Sequence, residues 1–159
     1  MNTVQLFKLV ASLVLTLGVG AIAGKFTASS VQGWYAGLNK PSFNPPNWLF
    51  GPVWTVLYII LGISLFLIWN LEPSQERNLA IGVFLIQLIF NFCWSFIFFQ
   101  FKMIGPALVD IVVLWLTIVG MLILFYMIKP LAAYMNIPYL LWVTFATILN
   151  TAYYFLNKA

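Results

Sequence analysis

Residues Trp34–Trp54 read WYAGLNKPSFNPPNWLFGPVW. Pro41, Pro45, Pro46 and Pro52 fix φ and withhold backbone donors, so the stretch holds a stiff, non-helical shape without needing a partner strand. It also carries Trp34, Tyr35, Phe43, Trp48, Phe50 and Trp54. Planar rings on a stiff connector suit the capture of a flat apolar ligand. Its surroundings decide the fold, because an apolar run lies on either side of it.

Five such runs occur, roughly Leu6–Ala23, Leu49–Trp69, Leu79–Phe101, Ile104–Ile128 and Leu131–Leu156, each long enough to cross a bilayer as a helix. Hydrophobic residues make up 64% of the chain and charged residues 6%, with a mean hydropathy of +1.02; a water-soluble globule is excluded. At about 20 residues per crossing, 159 residues hold five spans and short loops. The expectation is all-α: one five-transmembrane-helix bundle over residues 1–159, with a long ordered loop at about 25–46. Pro138 is expected to kink or unwind the fifth run. The first run lacks a small-residue cleavage site after it and reads as a mature span.

Composition removes whole classes of chemistry. There is no His and a single Cys, so the usual ligands for haem iron, zinc and copper are missing and no metal or cofactor is expected. Cys93 lies in an apolar run and reads as a small hydrophobe. The net charge is +4, but the cations are scattered singly, which fits lipid headgroups at helix ends and leaves no nucleic-acid footprint. Lys25, Lys40, Lys102 and Lys158 fall on one side of a five-span chain, and Lys8, Arg77 and Lys129 on the other. The positive-inside rule then turns the long loop and the C-terminus to the cytoplasm by one charge.

Polar and aromatic residues inside the spans fall on stripes. Trp54 and Tyr58 are i,i+4; Gln87, Asn91, Trp94 and Phe98 follow i,i+4,i+7,i+11; Trp142, Ala146 and Asn150 follow i,i+4,i+8. At about 1.5 Å of rise per residue, these residues lie between the bilayer middle and the long-loop side, with Trp142 near the middle. The stripes are expected to converge on an aromatic-walled cavity beneath the loop. Tryptophans near span ends, Trp34 and Trp48 among them, read equally as interfacial anchors. Asn91 and Asn150 read either as ligand contacts or as amides bridging helices. Asp110 is the one acid well inside a span, and no second titratable group accompanies it, so hydrolytic acid–base catalysis lacks support. Gly20-Ala-Ile-Ala-Gly24 is a G-x-x-x-G that serves close packing within the bundle or a homodimer. Leu149, Tyr153 and Lys158 fit a loose sterol-contact pattern.

The motifs resemble those of the translocator protein family, the TspO/MBR or peripheral-type benzodiazepine receptor group. W-Y-x-x-L-x-K-P-x-[WF]-x-P-P-x-W-x-F-x-P-V-W-x-x-L-Y runs from Trp34 to Tyr58. Q-L-x-x-N-x-x-W-S follows at Gln87–Ser95, D-I-x-x-L-W at Asp110–Trp115, and P-Y-L-x-W-x-x-F-A-x-x-L-N at Pro138–Asn150. The resemblance implies a five-helix bundle, commonly a homodimer, in a bacterial cell membrane. It implies a cavity for porphyrins such as protoporphyrin IX and for synthetic benzodiazepine-type or isoquinoline ligands, with sterol binding chiefly in animal members. Carried over by motif position, the pocket involves Tyr35, Pro45, Trp54, Tyr58, Asn91, Trp94, Phe98, Trp142, Phe145, Ala146 and Asn150. Trp54 and Trp142 match the tryptophans linked in some members to light- and oxygen-dependent porphyrin breakdown. Two positions depart from the pattern: Phe43 stands where many relatives carry Trp, and the Arg-rich tail of animal members is missing. The resemblance thus implies a tetrapyrrole receptor or binder in porphyrin homeostasis or stress signalling, with a transporter of porphyrins or other amphiphiles as the alternative.

Overall fold

Asn2 starts the first helix: its side chain accepts from the Gln5 amide at 2.9 Å, and the Gln5 side chain accepts from the Asn2 amide at 3.0 Å. In the computed structural model, which describes residues 2–158, helix α1 runs Thr3–Val31. It extends about two turns beyond the expected end at Ala23, because no proline or unpaired glycine stops it before Gln32-Gly33. The connector is therefore residues 32–46 rather than 25–46. Within it, Trp34–Gly37 form a 3₁₀ turn.

Helix α2 spans Asn47–Trp69 and holds Pro52 in its interior, which leaves the Trp48 carbonyl without its i→i−4 donor. Helix α3, Gln75–Ser95, is capped by Ser74, whose hydroxyl accepts from the Arg77 amide at 3.1 Å. It continues into one wide turn, Phe96–Gln100, closed by an i→i+5 bond from the Phe101 amide to the Phe96 carbonyl. Lys102, at φ 59°, makes the sharp corner into α4, Ile104–Ile128. The last run breaks in two: α5 is Pro130–Met135 and α6 is Ile137–Asn157, with Pro138 in the first turn of α6, where its missing donor costs nothing.

All secondary structure among the described residues is helical, and five segments are long and apolar enough to cross a membrane: Thr3–Val31, Asn47–Trp69, Gln75–Gln100, Ile104–Ile128 and Pro130–Asn157. The chain is an integral, multi-pass membrane protein. Helix α1 lies along α2, α3 along α4, and α4 against α6, with α1 also touching α3. Gly62 permits the α1–α2 approach: a Cβ there would stand 2.7 Å from Thr16 Oγ1 and 3.1 Å from Leu13 Cα. Gly20 receives the ring of Tyr58, whereas Gly24 has open space beside it. The first half of the G-x-x-x-G thus serves packing inside the bundle. Lys8 Nζ donates to the terminal carbonyl of α2 at Trp69, 3.1 Å away, and ties the far ends of α1 and α2 together.

Candidate functional site

The site forms where the C-terminal ends of α1, α3 and α6 meet the N-terminal ends of α2 and α4. Here the connector folds over the bundle and is clasped to α6. The Asn39 amide donates to Asn157 Oδ1 at 2.9 Å, and Asn157 Nδ2 returns a bond to the Asn39 carbonyl at 3.0 Å. Tyr35 is buried at 2% exposure, and that burial pushes its phenol above the usual tyrosine range, against the lowering effect of the neighbouring Tyr153 and Asn44 side chains. Trp34 packs edge-on to Phe98 at 5.6 Å, and Phe43 approaches Phe145 at 6.4 Å. Trp48 is 71% exposed.

Beneath the connector, α2 presents Trp54, α3 presents Trp94 and Phe98, and α6 presents Trp142, Phe145, Ala146, Leu149, Asn150 and Tyr153. With Tyr35 these line a common chamber, so the stripes converge. Phe50 and Phe99 also line it; Phe50 was among the connector rings read from the sequence, Phe99 was not. Phe50 was legible as the ring one turn before Trp54. Phe99 reaches the wall because of the wide turn, which periodicity does not announce.

The chamber is nearly filled by its own rings, with a volume of about 20 Å³, room for about one water. Its rings pack on one another: Trp54–Trp94 centroids lie 6.3 Å apart, Trp94–Phe98 5.8 Å, Phe50–Trp142 6.2 Å and Trp142–Phe145 5.5 Å. Tilted and edge-to-face contacts of this kind fill apolar interiors to crystal-like density.

Three expected pocket residues stand outside this lining. Pro45 lies in the connector and accepts from Asn44 Nδ2 through its carbonyl. Tyr58 and Asn91 belong to a buried polar floor. The Tyr58 hydroxyl donates to Asn91 Oδ1; Asn91 Nδ2 donates to the Tyr139 hydroxyl at 2.9 Å; that hydroxyl donates to Gln87 Oε1 at 2.7 Å. Asn150 lines the chamber, but Trp94 Nε1 donates to its Oδ1 at 3.0 Å, and its Nδ2 donates to the Ile104 carbonyl at 3.0 Å. Both amides therefore bridge helices, as lipid surroundings demand of buried polar groups. By contrast, Trp142 Nε1 is buried with no hydrogen-bond partner among the described residues, on a side chain that lines the chamber. Asp110 Oδ2 is likewise buried without a partner among the described residues.

Of the sterol-contact residues, Leu149 and Tyr153, at 6% and 1% exposure, line the chamber, and Lys158 Nζ lies over the exposed Phe155 ring at 4.5 Å.

A second cavity, of about 750 Å³, runs between the C-terminal half of α1 and the start of α2. Gly20, Ala21, Gly24 and Ala28 form its low wall, Trp48, Gly51 and Thr55 its other side, and Trp54 and Phe50 separate it from the chamber. The small residues at i,i+4,i+8 in α1 were its sequence signal.

Comparison with known proteins agrees with this architecture. The profile of the TspO/MBR family matches residues 11–156. The tryptophan-rich protein TspO of Archaeoglobus fulgidus is 42% identical over 153 residues, 96% of this chain and 99% of that protein. The translocator protein of Homo sapiens is 37% identical over 131 residues, covering 81% and 78% of the two chains. The tryptophan-rich sensory protein of Cereibacter sphaeroides is 37% identical over 117 residues, covering 74% and 72%.

Proposed function

Because the chain belongs to the TspO/MBR family, we propose that it is a membrane-bound binding protein, or receptor, for porphyrins and related flat hydrophobic ligands, serving porphyrin homeostasis or stress signalling in a bacterial cell membrane. The observation that carries this reading is the convergence of Trp54, Trp94 and Trp142 under a clasped, ring-bearing connector, with the buried Trp142 indole N–H lacking a partner among the described residues. Flat aromatic surfaces recognise a planar macrocycle by stacking, and an unpaired buried donor gives it orientation. Ligand sites usually measure about 300–1,000 Å³. The chamber falls far below that range, while the adjoining groove at about 750 Å³ falls within it. Binding therefore swings Trp54 or Phe50, the partition between the two, and joins the spaces. The name of the Cereibacter sphaeroides relative, a sensory protein, supports the receptor reading.

Trp54 and Trp142 line the same chamber, which supports a slow breakdown of bound porphyrin that uses light and dioxygen. Purified protein titrated with protoporphyrin IX, and followed by absorbance in light and in darkness, tests both ideas. Saturable binding is expected, with Trp142→Phe weakening it. Decay in light that requires both Trp54 and Trp142 would establish the chemistry. Absence of saturable binding would refute the proposal.

The lateral groove favours a second reading, transport of porphyrins or other amphiphiles, in keeping with the name translocator protein borne by the human relative. Gly24→Leu fills open space in the groove. On the transport reading it slows porphyrin uptake into vesicles; unchanged uptake would discard that reading.

A further inference from the structure

The connector closes onto the bundle around one oxygen atom. Asn44 Oδ1 accepts from the Tyr35 hydroxyl at 2.9 Å and from the Tyr153 hydroxyl at 2.8 Å, while Asn44 Nδ2 donates to the Pro45 carbonyl at 3.1 Å. One phenol comes from the 3₁₀ turn of the connector and the other from the last turns of α6. Both tyrosines are buried and both line the chamber. Their positions are set by packing: the two rings lie 5.3 Å apart, Tyr35 rests on Phe99 at 5.8 Å, and Tyr153 rests on Phe98 at 6.1 Å. Two O–H donors thus converge on a single acceptor at the chamber roof.

A neutral amide oxygen is a modest partner for that pair. A carboxylate in the same place would accept the same two bonds in charge-assisted form, roughly twice as strong. Cationic charge stands close by, with Lys40 Nζ 5.4 Å from the centroid of the Tyr35 ring. Below the roof the wall is almost wholly apolar, and the Trp94 indole is already engaged by Asn150. Polarity is therefore concentrated at one edge of the site and aromatic surface at the other. This matches a planar apolar molecule that bears acid groups along one edge.

We propose that the Tyr35 and Tyr153 hydroxyls form a carboxylate-binding subsite, and that the Asn44 amide oxygen is a placeholder which a ligand carboxylate displaces. The proposal rests on the porphyrin reading above and adds to it an orientation: acid edge toward the connector, macrocycle toward Trp54 and Trp142. It also defines the ligand class as flat hydrophobic acids, and disfavours their esters.

The test compares protoporphyrin IX with its dimethyl ester by quenching of tryptophan fluorescence in detergent, for wild type, Tyr35→Phe/Tyr153→Phe and Asn44→Ala. The double variant should lower the acid-to-ester affinity ratio by about tenfold or more, the loss expected for hydrogen bonds to a charged group. Ester binding should fall by less than acid binding. Asn44→Ala should tighten acid binding, because the competing oxygen is gone. An equal loss for both probes would reduce the tyrosines to structural posts and overturn the proposal, as would an unchanged ratio. Weakened acid binding in Asn44→Ala would overturn the displacement step. If wild type binds neither probe, the porphyrin reading falls and takes this one with it; ester and acid binding that ignore all three side chains sink the subsite alone.

Discussion

Replacing Asn91 with Leu tests the polar floor that holds α2, α3 and α6 together. Asn91 is fully buried, accepts from Tyr58 and donates to Tyr139, so the change deletes both side-chain hydrogen bonds at once. Leu has the same number of side-chain heavy atoms, so no cavity opens, although its methyl groups are bulkier than the amide and add some crowding. Hydrogen bonds within membrane proteins average about 0.6 kcal/mol and reach about 1.7, so the pair sums to about 1–3 kcal/mol. The upper end is the better expectation. Tyr139 keeps its bond to Gln87, but the buried Tyr58 hydroxyl loses its acceptor, and a stranded donor costs about 1–3 kcal/mol. Unfolding in mixed micelles, titrated with a denaturing detergent and followed by helicity, would measure the loss. A double-mutant cycle with Tyr58→Phe should return a coupling of about 0.6–1.7 kcal/mol for that one bond. A variant within a few tenths of a kcal/mol of wild type, or a cycle with no coupling, would refute the floor as an energetic element.

Two further outcomes follow from the same geometry. Gly62→Ala should destabilise by about 1–3 kcal/mol, since the new Cβ meets the Leu13 backbone, whereas Gly24→Ala enters open space and should be neutral or stabilising by up to about 1 kcal/mol through helix propensity; the same micelle titration separates them. Burial raises the Tyr35 phenol above its unfolded value near 10, so its contribution to holding the connector is fully present below about pH 10 and is lost as pH rises through the folded value. Proteolysis within residues 32–46 should accelerate at high pH in wild type, and an identical profile in Tyr35→Phe would contradict this.

The spans were legible because lipid leaves a chain few choices: apolar runs long enough to cross must be helices, and here five such runs are separated by charged or proline-bearing corners. Their ends were less legible. Thr27, Ser29 and Ser30 look like loop residues, yet α1 continues through them, with Thr27 and Ser29 donating back to the carbonyls of Ala23 and Phe26. The ring stripes of α2, α3 and α6 could be read from spacing, because helices on three sides of a bundle turn such stripes inward. That the rings would close on one another depended on side-chain packing, which spacing does not encode. Nor does spacing say whether an inward amide is free. Asn91 and Asn150 found partners on other helices, Tyr58, Tyr139 and the Ile104 carbonyl, all far away in the chain.

The wide turn at Phe96–Gln100 makes the length of α3 a counted quantity. Trp94 meets two rings at almost the same distance, Phe98 at 5.8 Å and Phe99 at 6.0 Å, because the loosened turn admits one residue more than a regular one. An α-helix advances 1.5 Å and about 100° per residue. Dropping a single residue here would close the wide turn to a regular one in a helix that still crosses the bilayer, and Trp94 would lose one of its two rings. Bilayer span and ring alignment are thus set independently in this segment, and changes that preserve hydrophobic length can still misdirect the wall.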